Sequence, residues 1–140
     1  MKTFMSRAVL ASLLLGASMM ASAATPAPAG AKAFIVSPEN GATVDKTFKV
    51  KFGIEGVALA PAGDATKNTG HHHLLIDTGP IAAGQVIPAD AQHVHFGKAQ
   101  TETELTLTPG THTLQLELGD KNHMAFEPPI ISEKITVTVK

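Results

Sequence analysis

Thr47-Phe48-Lys49-Val50-Lys51-Phe52-Gly53-Ile54 decides the fold class. Phe48, Val50, Phe52 and Ile54 fall on one side of an extended chain, with Thr47, Lys49 and Lys51 on the other. A period of two marks a strand with one buried face, because successive side chains point to opposite sides of a sheet. The pattern recurs at Leu105 and Leu107 against Glu104 and Thr106. It recurs at His112, Leu114, Leu116 and Leu118 against Thr113, Gln115 and Glu117, and again at Ile135, Val137 and Val139. No segment after the N-terminal apolar run repeats at 3.6 residues, so the domain reads as all β.

Turn chemistry separates these runs. Pro38-Glu39-Asn40-Gly41 and Pro109-Gly110 are turns, since proline presets φ and glycine accepts conformations closed to other residues. Seven strands are predicted, at residues 33–37, 47–54, 71–78, 93–97, 102–108, 111–118 and 132–139. Seven short strands in about a hundred residues predict an immunoglobulin-like antiparallel β-sandwich. A small closed β-barrel is the alternative. Residues 55–70, 79–92 and 119–131 are long connections, the kind that carry function in compact domains.

The chain of 140 residues opens on a secretion signal. Lys2 and Arg7 form a basic start, Ala8–Met20 an apolar run, and Ala21-Ser22-Ala23 a small-x-small cleavage site. Cleavage after Ala23 predicts a periplasmic or secreted domain, with residues 24–32 a flexible Ala/Pro-rich leader and 33–140 one sandwich. The apolar run is too short to span a bilayer, and no membrane anchor is expected in the mature chain. There is no cysteine, so disulfides, zinc–thiolate sites and lipid attachment at cysteine are excluded. Losing Lys2 and Arg7 leaves nine basic residues against 12 acids, a net charge of −3. Arg7 is the only arginine, and there is no Trp or Tyr. Nucleic acid, which calls for a basic surface with aromatic platforms, is not an expected partner.

Histidine is the unusual component, and all 7 lie between His71 and His123. Within His71-His72-His73-Leu74-Leu75-Ile76-Asp77, strand alternation sends His72, Leu74 and Ile76 to the core and His71, His73 and Asp77 outward. His93 and His95 repeat the arrangement, with Val94 and Phe96 on the core side. Neutral imidazole is the commonest metal ligand, and His-x-His on a strand supplies two at once. One such pair alone reads as solvated surface. Two pairs, with His123 on a long loop, predict a shared metal site of His71, His73, His93, His95 and His123, for copper or zinc. Binding at such a site is expected to fail below about pH 6.5, where protons compete for the nitrogens. Asp77 and Asp120 are candidates to orient the imidazoles, although Asp120 also suits a Gly-Asp turn. His72 and His112 fall in the core phase and are expected to be buried, neutral and hydrogen-bonded.

Three runs stand out as motifs: Asn68-Thr69-Gly70-His71-His72-His73-Leu74-Leu75-Ile76-Asp77, His95-Phe96-Gly97-Lys98-Ala99-Gln100-Thr101-Glu102 and Leu118-Gly119-Asp120-Lys121-Asn122-His123. They resemble a bacterial exported family known as domain of unknown function 4399. The resemblance implies a small exported β-domain and brings no reaction, ligand or partner with it. Two functions remain from the residues: a metal-binding protein, or a non-catalytic adaptor presenting a hydrogen-bonded polar site to an envelope protein or small ligand. Hydrolysis by a metal-bound water would need a general base beside the metal, and none stands out.

Overall fold

The computed structural model describes residues 23–140. The expected signal, residues 1–23, therefore lies outside the described residues apart from Ala23. Among the described residues nine strands form: β1 (Lys32–Ser37), β2 (Thr43–Val44), β3 (Thr47–Glu55), β4 (Ala58–Leu59), β5 (Thr69–Ile76), β6 (His93–His95), β7 (Glu102–Thr106), β8 (Gly110–Gly119) and β9 (Ile135–Val139). All seven expected strands are among them. β2 and β4, of two residues each, are too short to show a period.

The strands make two sheets, ordered β1-β3-β7 and β2-β9-β8-β5-β4, with β6 also paired to β5. Most pairings are antiparallel, while β2–β9 and β4–β5 are parallel. Neither sheet closes on itself, so the fold is a sandwich and the barrel alternative falls away. The chain crosses between sheets from β3 to β5, back to β7, then over to β8, which is the strand order of an immunoglobulin-type sandwich.

The periodic residues meet between the sheets. Val50 and Phe52 of β3 face Leu74 and Ile76 of β5, Leu114, Leu116 and Leu118 of β8, and Val137 of β9 in one buried cluster. Phe96, Phe126 and Ile130 close its edge. With no disulfide available, this apolar burial holds the sheets together.

The outer faces of the two sheets differ. On the small sheet, Lys49 pairs with Glu102 at 3.3 Å in solvent. On the large sheet the outer face is covered: Leu75, Gln115 and Glu117, all in outward phase, are buried. The cover comes from the long connections. Ile81 N–H donates to Glu117 Oε2 at 2.8 Å, and Gln115 Nε2 donates to the Ser132 carbonyl at 2.8 Å. Val86 bridges Met124, and Ile131 bridges Glu117.

Residues 25–27, expected to belong to a loose leader, are held against this cover. Ala27 N–H donates to the Glu127 carbonyl and Glu127 N–H to the Thr25 carbonyl, both at 2.9 Å. Thr25 Oγ1 donates to Asp120 Oδ2 at 2.6 Å. An extended Ala/Pro segment satisfies its backbone here by pairing with the chain after His123, a partner that composition does not reveal. Among the described residues, no helix is long and apolar enough to cross a membrane.

Candidate metal centre

Strand pairing brings the histidines together. β5 and β6 run antiparallel with His73 opposite His95, and His71 lies two residues along β5 on the same face. The fourth imidazole comes from the loop after β8. Asp120 builds that loop: its Oδ1 accepts from Asn122 N–H at 2.8 Å and Met124 N–H at 3.0 Å. His123 then sits at φ 62°, with its carbonyl held by Ile87 N–H at 2.8 Å. Each of His71, His73, His95 and His123 offers a ring nitrogen, and these nitrogens all lie within 4.8 Å of one another. The ring centroids are 4.6–6.0 Å apart.

His71 and His73 are buried, and His95 and His123 half-buried. Both nitrogens of His73, together with Nε2 of His95, are buried without a hydrogen-bond partner among the described residues. His71 Nε2 and His123 Nδ1 are 3.3 Å apart. Tetrahedral zinc with Zn–N bonds of 2.0–2.1 Å places its ligand nitrogens about 3.3 Å from one another. One edge of the cluster therefore already matches a metal polyhedron.

Three of the four imidazoles are biased toward the neutral form. Burial, reinforced by His123 and His95, lowers the His71 pKa to about 4. Burial, with His71 and His95 beside it, lowers that of His73 to about 3. His95 is lowered too, by burial and then by His123. Neutral imidazoles with free lone pairs are what a metal ion requires.

The other expected site residues go elsewhere. His93 is in the same phase as His95, but the register sets it opposite Leu75, one row from the cluster. Its Nδ1 is bonded to Asp90 Oδ1 at 2.8 Å, and it does not join the four. Asp77, at φ 54° just past β5, bonds His112 Nδ1 at 2.6 Å at the far end of the sheet from the cluster. His112 also differs from its expectation. It is half-buried, and the hydrogen bond to Asp77 raises its pKa, so it is not held neutral by burial as expected. His72 is buried as expected, but against the Phe52 ring at 5.0 Å, with neither nitrogen hydrogen-bonded. Asp120 takes the turn role and also lies near enough to His71 to act on it electrostatically.

A family model described as domain of unknown function (DUF4399) matches residues 50–140. The chain belongs to this family. No curated protein and no solved structure matches it. The DUF4399 match begins inside β3 and spans β4–β9, so all four clustered histidines lie within it.

Two glycines of the DUF4399 region make room for the rings. A Cβ on Gly119 would meet His73 Cε1 at 2.7 Å, and one on Gly97 would meet His95 Cε1 at 2.5 Å. Gly119→Ala is expected to displace the buried His73 ring and weaken metal binding about tenfold, with a stability loss of about 1–3 kcal/mol from overpacking. Gly79, which has nothing within 4 Å of its Cβ direction, is the control, and Gly79→Ala should leave both unchanged. Calorimetric titration with zinc(II) and a thermal melt of each variant read the two effects.

Proposed function

We propose that this DUF4399 protein is exported and binds a transition-metal ion, copper or zinc, through His71, His73, His95 and His123. The observation that carries the reading is the convergence of four imidazoles on one point, with His73 buried and both its nitrogens unpartnered. Buried polar groups are otherwise hydrogen-bonded, and a metal ion satisfies several lone pairs at once. Four protein donors complete the coordination of zinc and leave no position for a reacting water, which suits binding better than hydrolysis. Copper(II) also favours imidazole and binds more tightly than zinc at comparable sites. The basic start, apolar run and Ala21-Ser22-Ala23 support export.

The test is elemental analysis of protein purified from the exported fraction without an affinity tag or added metal, followed by titration with zinc(II) and copper(II). One equivalent of tightly held ion is expected, on a chain whose mass begins at Ala24. Substoichiometric metal after dialysis, with no saturable titration, would reject the reading and leave the adaptor function.

A further inference from the structure

Four neutral imidazoles bring no charge to an ion, so its balance must come from groups behind them. Glu117 is so placed. In the β6-β5-β8 register, His95, His73 and Glu117 form one row on one face of the sheet. Glu117 is 0% exposed. Its Oε2 accepts from Ile81 N–H, while Oε1 is buried with no hydrogen-bond partner. A carboxylate without solvent or a cation is costly in such a place.

We infer that Glu117 is the counter-charge of the histidine site and that it tunes the site to a divalent ion over a monovalent one. This rests on the metal-binding reading. Asp120, also buried, stands beside the His123 loop and acts on His71. Two carboxylates thus flank four uncharged ligands, and the ion that leaves the cluster neutral carries two positive charges. Coulomb energy scales with the product of charges, so an anion at fixed distance favours a dication twice as strongly as a monocation. His93 offers a different partner for the same acid. Burial raises the pKa of Glu117, and the Ile81 N–H and then His93, whose Nε2 is buried and unpaired among the described residues, act against that rise.

The experiment is Glu117→Gln, which keeps the side-chain size and an oxygen for Ile81 N–H while removing the charge. Zinc(II) affinity is read by calorimetry, and copper(I) affinity by anaerobic competition with a chelator. The expected loss is about 5-fold for copper(I) and about 25-fold for zinc(II), the larger factor being the square of the smaller. Equal losses for the two ions, or none, would overturn the inference. So would His93→Gln reproducing the unequal losses. Glu117→Met, which also removes the charge, gives the same pair of ratios if the Gln variant does not fold. A wild type that binds neither ion would instead sink the metal-binding reading itself.

Discussion

His71→Ala/His73→Ala should lose at least about 1,000-fold in affinity for zinc(II) or copper(II), while His93→Ala stays within about threefold of wild type. Removing a group that merely supports a ligand costs 10–100-fold, and losing two direct donors costs more. His95→Ala and His123→Ala should each fall by about 100-fold or more, because one comes from a neighbouring strand and the other from the loop across the site. The losses should not add: once His71 and His73 are gone, replacing His95 and His123 as well changes little, since residues acting on one ion couple strongly. Calorimetry on the set decides the matter. If His93→Ala costs as much as His95→Ala, or if the losses add, the four-histidine site is wrong.

Acid should destabilise the metal-free protein steeply between about pH 6.5 and pH 4. Burial holds His71 and His72 at about 4 and His73 at about 3, whereas in the unfolded chain they take up protons near the usual 6.5. The unfolded state therefore binds more protons throughout that interval, and stability falls as pH falls through it. Above pH 6.5 the contribution is complete. For His72 alone, the loss between pH 7.5 and pH 4.5 is roughly 2–3 kcal/mol. Denaturant titrations of wild type and His72→Leu at the two pH values isolate it: the variant should lose about that much less. Equal losses would mean that His72 is protonated in the fold. The same lowered values revise the expected pH limit on metal binding. Protons compete for His71, His73 and His95 only below the usual imidazole range, so binding should persist below the pH of about 6.5 at which unperturbed imidazoles would release the ion.

The sandwich was legible because β3, β8 and β9 each keep strict alternation, and the His-x-His pairs were legible for the same reason. Alternation names a face and stops there. His93 and His95 are in identical phase, and only the β5–β6 register, which sets His73 against His95 and Leu75 against His93, separates a cluster member from a bystander. Glu117 falls in the outward phase of β8, and phase alone does not mark it as buried. One signal pointed the other way: Leu74-Leu75-Ile76 is apolar without a break, as expected of a strand covered on both faces. An outer face that hides Leu75 also hides the side chains paired with it, Gln115 and His93. His112 illustrates a second gap. It keeps the phase of the core residues but sits at the start of β8, where the sandwich ends and Asp77 is within reach.

Immunoglobulin-type domains commonly tie their sheets with a disulfide, and this chain has no cysteine with which to do so. The histidine cluster lies where a different tie can form. His71 and His123 are separated by 52 positions, and an ion shared between them closes that stretch into a ring. For a loop of roughly 50 residues, the chain-entropy relation for cross-links gives about 4 kcal/mol taken from the unfolded ensemble. Unlike a disulfide, such a staple forms without oxidation of any protein group and responds to metal supply and acidity. Resistance to proteolysis would then report how much ion the surroundings hold.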